Sequence, residues 1–113
     1  MTTPELPLET DVESVATMRS EKTTFLLLDV REEMEFATAS IHGSHLIPMS
    51  LLAERVEELE PYRDTLIVVH CHHGVRSLQV ALALRQHGFA QVQSMSGGID
   101  RWSLEIDPTV PRY

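Results

Sequence analysis

The chain has one cysteine, Cys71, and the residues after it read His-His-Gly-Val-Arg-Ser. The run before it, residues 66–70, is rich in branched apolar residues and predicts a buried strand, whereas residues 75–87 predict a helix. The thiol therefore stands where a strand leads into a helix. Unpaired N–H groups and the positive end of the helix dipole favour a thiolate at such a place. We interpret Cys71 as a nucleophilic sulfur.

Gly74 and Arg76 add to this pattern. Gly74 permits a backbone conformation that strains other residues, so successive N–H groups can point toward the sulfur. Arg76 supplies a permanent positive charge that can fold back toward the turn. Together these residues predict an anion cradle around Cys71. The alternative is an ordinary buried cysteine, which needs neither the glycine nor the arginine.

Three histidines surround the cysteine and raise the question of a metal site. His72 and His73 are adjacent on a tight loop, and we expect their side chains to diverge rather than converge on one ion. The chain has no second cysteine, and His42 and His45 lie in a different segment. We therefore expect no metal. His72 and His73 are expected at the mouth of a pocket, where they bind an anionic donor or shape a protein contact.

Strand and helix patterns alternate along the chain. Thr10 and Glu13 fit a capping box, Ser50 fits a helix cap, Pro61 fits a helix end and Gly88 fits a left-handed cap. The predicted strands are residues 6–8, 24–30, 45–48, 66–70 and 92–95. A first helix is predicted after the strand at 6–8, with Thr10 as its cap. The other predicted helices are residues 32–38, 50–60, 75–87 and 99–105, followed by an extended tail over 107–113.

Several of these strands are apolar on both faces. Such strands are typical of a parallel sheet that helices cover on each side. In open sheets of this kind, ligands bind beyond the carboxyl ends of the strands. The turn that holds Cys71 is therefore expected at the binding edge.

The composition limits the possible functions. A chain of 113 residues with 42% apolar residues predicts one domain, residues 1–113. Its net charge of −8 argues against nucleic acid as a partner. Residues 65–104 hold three arginines and one aspartate, which is either chance or a locally positive site for a small anion.

The sequence also bears on location. One cysteine excludes an internal disulfide, and the N-terminus does not have the pattern of a secretory signal. The apolar runs are too short to cross a bilayer, so no membrane partner is expected. The prediction is a cytoplasmic protein in a reducing compartment.

Four motifs, in this order, resemble those of the rhodanese family over nearly the whole chain. They are Leu-Leu-Asp-Val-Arg-Glu at 27–32, Ile-His-Gly-Ser at 41–44 followed by Ile-Pro at 47–48, the six-residue loop 71–76, and Gly-Gly-Ile-Asp-Arg-Trp at 97–102. The loop with Arg76 and Ser77 looks closest to single-domain members and to sulfur-carrier domains fused to enzymes that activate ubiquitin-like proteins. The resemblance implies a three-layer α/β fold with a mainly parallel sheet of about five strands and helices on both faces.

The resemblance also implies roles for individual residues. Cys71 would be the nucleophile that forms a persulfide, without a cofactor. Asp29 and Arg31 would support the loop, although an ion pair at a strand end explains them equally well. The loop that cradles the transferred sulfur would consist of His72, His73, Gly74, Val75 and Arg76.

The implied reaction is sulfur transfer in two steps. A small anionic donor such as thiosulfate gives its outer sulfur to Cys71, and cyanide, a thiol or a protein acceptor then takes it. The alternatives are a persulfide relay to a partner protein and a non-catalytic binding module. A cysteine-dependent phosphatase is less favoured, because the related phosphatases have a loop one residue longer than residues 71–76. The sequence leaves the physiological donor, acceptor, pathway and oligomeric state open.

Overall fold

The computed structural model describes residues 6–113, which contain a sheet of five strands. The strands are β1 (Glu9–Thr10), β2 (Leu26–Asp29), β3 (His45–Leu46), β4 (Ile67–His70) and β5 (Val92–Met95). The helices are α1 (Val12–Ser20), α2 (Glu33–Thr38), α3 (Leu52–Arg55), α4 (Val75–Gln86) and α5 (Gly98–Glu105). Two 3-10 segments, Met49–Leu51 and Val56–Tyr62, flank α3. All strand pairs are parallel, in the order β1-β5-β4-β2-β3.

The central strands β2 and β4 explain why the sheet has helices on both sides. Every residue of these two strands is buried, so both of their faces need apolar cover. On one face Val69 packs in a core with Val80 of α4. On the other face Val68 packs in a core with Trp102 of α5 and Val12 of α1. The predicted three-layer α/β fold is thereby confirmed.

One edge of the sheet collects the segments of chemical interest. Asp29 ends β2 and lies opposite His70, which ends β4, in the parallel register. The residues that follow the two strands therefore meet at the same edge. As predicted, α4 follows β4 after a short turn and is itself followed by Gly88 at φ +88°.

The start of the described chain differs from the prediction in two ways. The first strand is Glu9–Thr10 rather than 6–8, because Thr10 pairs with Met95 of β5. Thr10 is therefore part of the sheet and does not cap α1. Asp11 is the cap instead, and its Oδ1 accepts a hydrogen bond of 2.7 Å from the Ser14 N–H.

The single helix predicted over residues 50–60 is also wrong. This stretch is a short α-helix between two 3-10 segments, and Pro61 lies inside the second of them rather than ending a helix. Proline lacks the N–H of a regular α pattern and restricts the residue before it, which suits the tighter turns. Ser50 does not cap the segment, because its hydroxyl donates to Glu32 at 3.0 Å.

The tail is not extended throughout. Residues 107–110 form a turn in which the Val110 N–H donates to the Asp107 carbonyl at 3.1 Å. The chain then runs to Tyr113, which reaches the edge where β2 and β4 end. Within residues 6–113, none of the helices has the length and apolar character needed to span a membrane.

Candidate active site

Cys71 directly follows β4 and is almost completely buried, at 1% exposure. Two backbone amides point at its sulfur. The Gly74 N–H lies 3.1 Å from Sγ and the Ser77 N–H lies 3.3 Å from it. Both donors are suited to an anionic sulfur, because a charged acceptor strengthens such hydrogen bonds.

Gly74 shapes the turn between Cys71 and α4. Its φ of +112° lies in the region that favours glycine, and an added Cβ would stand 3.3 Å from the Gly97 nitrogen. The amides of Val75 and Arg76 follow at the first two positions of α4. Amides at these positions have no acceptor within their own helix, so they can bind an anion. The turn therefore offers backbone donors for an anion, whereas the cradle itself stays a prediction.

Two buried serines lie close to the sulfur, and neither was predicted to have a role. The Ser77 hydroxyl is 3.4 Å from Cys71 Sγ, which donates to it, and 2.7 Å from the Ser94 hydroxyl. Both serines have 0% exposure. The only nearby sequence feature that could have indicated a serine next to the sulfur is the position of Ser77 in the first turn of the predicted helix.

Two backbone amides of α5 hold the carbonyls of the loop that contains Cys71. The Ile99 N–H donates to the Cys71 carbonyl at 2.9 Å, and the Asp100 N–H donates to the His72 carbonyl at 3.1 Å. Gly98, at φ +58°, allows this approach, because an added Cβ would collide with both carbonyls. The Gly-Gly-Ile-Asp segment therefore positions the backbone of the cysteine loop, a role that the motif alone did not specify.

Asp29 and Arg31 form a buried ion pair, with Arg31 Nη2 2.6 Å from Asp29 Oδ2 and both side chains at 0% exposure. Arg31 also donates to the Ala39 carbonyl at 2.7 Å and to the Tyr113 hydroxyl at 2.9 Å. The pair thus joins the end of β2 to the segment after α2 and to the tail. The predicted contact of this pair with the loop is indirect, since Asp29 Oδ2 lies 3.8 Å from Nε2 of His70.

Arg76 makes a two-pronged ion pair with Glu35 of α2. Its Nη1 and Nη2 lie 2.6 Å and 2.9 Å from the two carboxylate oxygens. The hydrogen bonds from Arg76 lower the pKa of Glu35 to about 2, and those to Glu35 raise the pKa of Arg76. The guanidinium is therefore tied to α2 rather than folded over the sulfur. Glu35 was not singled out from the sequence, because its partner lies 41 residues away.

His72 and His73 do not diverge as expected but stack, with ring centroids 3.9 Å apart. Tyr113 stacks on the other side of His72 at 4.0 Å. Burial and the neighbouring His73 lower the pKa of His72. Donor atoms of the two histidines and Asp100 lie within 4.8 Å of one another. Arg112 already pairs with Asp100 at 2.9 Å, so a metal ion at this cluster would compete with that guanidinium.

Residues 65–104, for which the sequence left open chance or a locally positive site, do not form an excess of unpaired positive charge in the described structure. Arg76 pairs with Glu35 and Arg101 pairs with Glu105 at 3.3 Å, so acids outside that stretch neutralise it. Arg85 donates to the Val92 carbonyl at 2.9 Å. Within the described residues, the anion-binding capacity next to Cys71 therefore comes mainly from backbone amides.

A family profile described as the rhodanese-like domain matches residues 11–105. The chain belongs to the rhodanese family. This confirms the resemblance found in the sequence motifs. The turn after β4 is the segment that resembles the family's loop in sequence, and the Gly-Gly segment that supports it is the final motif of that resemblance.

Curated relatives include sulfurtransferases of similar size. A sulfurtransferase of Allochromatium vinosum is 34% identical over 102 residues, which are 90% of this chain and 94% of that protein. The thiosulfate sulfurtransferase GlpE of Haemophilus influenzae is 42% identical over 88 residues, covering 74% of this chain and 81% of that protein. These rhodaneses support a role in sulfur transfer in general.

A longer relative also matches. The adenylyltransferase and sulfurtransferase MOCS3-2 of Zea mays is 39% identical over 93 residues, which are 78% of this chain. The match covers 19% of that protein, so this chain spans about a fifth of its length.

Solved structures agree with the fold. A rhodanese-related protein of Thermoplasma volcanium has a TM-score of 0.74 at 32% identity, covering 95% of this chain and 100% of that one. A rhodanese-like domain protein of Staphylococcus aureus has a TM-score of 0.80 at 21% identity, covering 95% and 99%. The second likeness shows the fold alone.

Proposed function

We propose that this rhodanese transfers sulfane sulfur through a persulfide on Cys71. The observation that carries the proposal is the convergence of the Gly74 and Ser77 amides on a recessed sulfur, beside the first-turn amides of Val75 and Arg76. A nucleophile needs activation and its product needs stabilisation, and oriented amides supply both without reorganising.

The first step loads the cysteine. The Cys71 thiolate attacks the outer sulfur of a donor such as thiosulfate, a new S–S bond forms, and the bond between the outer sulfur and the sulfonate breaks. Sulfite leaves with the bonding pair. The outer sulfur of Cys71–S–S⁻ carries the negative charge, and the first-turn amides of Val75 and Arg76, which have no acceptor within their helix, would bind it.

In the second step the Cys71 persulfide gives up its outer sulfur. A nucleophile such as cyanide or a thiolate attacks the outer sulfur, and the S–S bond to Cys71 breaks with its electron pair returning to the cysteine. Cyanide is thereby converted to thiocyanate, and a thiolate is converted to a persulfide. The two steps regenerate the thiolate without any external oxidant. Cys71 must begin each cycle as a free thiol, which suits a reducing compartment such as the cytoplasm.

The surrounding residues have supporting roles in this proposal. His72 and His73 line one side of the loop, and Gly74 turns the amides inward. Asp29 and Arg31 hold the neighbouring strand end and the tail in place. These residues bind or position groups and do not exchange sulfur themselves.

Thiocyanate formation from thiosulfate and cyanide tests the proposal. The wild-type protein is expected to turn over, and Cys71→Ser is expected to be inactive although it folds. Gln86→Ser, at the exposed C-terminal end of α4, serves as the surface control and should keep the activity. A generic phosphate ester is the competing substrate. Its hydrolysis by wild type but not by Cys71→Ser, without thiocyanate formation, would replace sulfur transfer by phosphatase chemistry.

A further inference from the structure

The permanent positive charges around the cysteine loop are all neutralised within the described residues. Arg76 is bound by Glu35, Arg112 by Asp100 and buried Arg31 by Asp29. Each pair has one acid and one base. A donor that reaches Cys71 therefore meets no unpaired arginine on these elements.

Glu35 accepts two further hydrogen bonds besides those from Arg76. The Tyr113 hydroxyl donates to its Oε2 at 2.7 Å, and the Glu32 N–H donates to its Oε1 at 3.1 Å. The carboxylate side chain is 21% exposed, so bulk solvent screens the pair only in part. With its pKa near 2, Glu35 stays anionic at every working pH. The charge that pairs with Arg76 is therefore present throughout the working pH range.

We propose that Glu35 selects the sulfur donor by charge, favouring a persulfide with at most one negative charge over a dianion such as thiosulfate. This inference rests on the proposed function and narrows its donor. Glu35 acts here as a residue that determines specificity through Arg76, and it does not touch the transferred sulfur.

The reason is competition for one guanidinium. A dianion gains the full attraction of Arg76 only if it displaces Glu35; otherwise it meets a neutral ion pair and relies on backbone amides. The attraction that Glu35 cancels would be larger for two negative charges than for one. A neutral or singly charged persulfide therefore loses less from this pairing, and its outer sulfur can still accept hydrogen bonds from the first-turn amides of Val75 and Arg76.

The loading step balances for such a donor. The Cys71 thiolate attacks the outer sulfur of R–S–SH, the new S–S bond forms, and the S–S bond of the donor breaks. R–S⁻ leaves with the bonding pair and takes a proton from water. The outer sulfur keeps its own proton or releases it to solvent, and no oxidant or reductant is consumed.

The experiment compares two probes, thiosulfate and 2-hydroxyethyl persulfide, in single-turnover loading of Cys71 followed by intact mass. The quantity of interest is the ratio of their second-order loading rates, because variant-to-variant changes in that ratio cancel the intrinsic reactivity of each donor. Glu35→Gln should raise the thiosulfate-to-persulfide ratio about fivefold, the size of one partly exposed charge pair. Glu33→Gln removes the same charge from the same helix without a bond to Arg76 and should leave the ratio unchanged.

A second variant keeps the test decisive if Glu35→Gln folds poorly. The double variant Glu35→Gln with Arg76→Gln removes both charges of the pair, and its ratio should stay within about twofold of wild type, because a neutralised pair contributes little net charge. A tenfold fall in that ratio would show that Arg76 binds the dianion despite Glu35. That fall, or an equal response to Glu33→Gln and Glu35→Gln, overturns the inference. Failure of both donors to load Cys71 overturns the proposed function instead.

Discussion

Replacing Gly98 by alanine perturbs the cysteine loop from beneath. The backbone at Gly98 has φ +58°, and its new Cβ would collide with the Cys71 carbonyl and come within 2.5 Å of the His72 carbonyl. Both contacts are with backbone, which cannot rotate away as a flexible side chain does. The loop must therefore shift away from α5, and the hydrogen bonds from the Ile99 and Asp100 amides to these carbonyls lengthen.

The expected cost has two parts. A non-glycine residue in the left-handed region costs about 1–2 kcal/mol, and forcing atoms into a packed site costs about 1–3 kcal/mol more. We expect Gly98→Ala to lower the free energy of unfolding by about 2–5 kcal/mol. Gly43→Ala is the matched control, since Gly43 has φ +84° but nothing lies within 4 Å of its added Cβ. Gly43→Ala should show only the cost of about 1–2 kcal/mol for the left-handed backbone.

Urea unfolding of both variants measures these costs, and single-turnover loading of Cys71 by thiosulfate measures the consequence for the site. A displacement of the loop by about 1 Å should slow loading about 100-fold in Gly98→Ala. Gly43→Ala should load at the wild-type rate. Equal destabilisation in the two variants, or wild-type loading in Gly98→Ala, would refute the idea that α5 positions the loop.

Three further predictions concern buried polar groups. Asp29→Asn leaves the Arg31 charge buried without its carboxylate and should cost about 3–5 kcal/mol in urea unfolding, and a cost below about 1 kcal/mol would contradict this. Burial lowers the pKa of His70 from 6.5 to about 4, so the unfolded chain binds the extra proton between these values. The free energy of unfolding should therefore fall as the pH drops from about 6.5 toward 4. In His70→Leu, the free energies of unfolding measured at about pH 7 and about pH 5 should differ less than they do in the wild type. Ser77→Ala leaves the buried Ser94 hydroxyl without its partner and should cost about 1–3 kcal/mol, while the double alanine variant should recover part of that loss. An additive double variant would rule out this coupling.

Much of the fold follows from local patterns in the chain. The central strands are short apolar runs that only a sheet covered on both faces can bury, and this predicted the parallel α/β arrangement. The placement of Cys71 between β4 and α4 followed from the same pattern. The errors lie where tertiary contacts compete with local signals. Thr10 has the residue type of a cap, but pairing with Met95 places it in the sheet.

The details of the site depended on partners that are distant in the sequence. Arg76 was expected near the sulfur on the basis of spacing, yet Glu35 holds it from another helix. Tyr113 stood in a tail predicted to be extended, and nothing nearby in sequence indicates that its hydroxyl reaches Arg31 and Glu35. Side-chain pairing over such separations is decided by packing, which a single sequence does not encode in a local pattern.

The position of the transferred sulfur is the most direct test of the account. The protein is incubated with thiosulfate and freed of excess donor, and its mass is then measured by mass spectrometry, both intact and after digestion. We predict one added sulfur atom in the wild-type protein, located on the peptide that contains Cys71 and removed by cyanide, and none in Cys71→Ser. An adduct that persists in Cys71→Ser, or a wild-type protein that gains no sulfur from thiosulfate or from 2-hydroxyethyl persulfide, would contradict persulfide chemistry at this site.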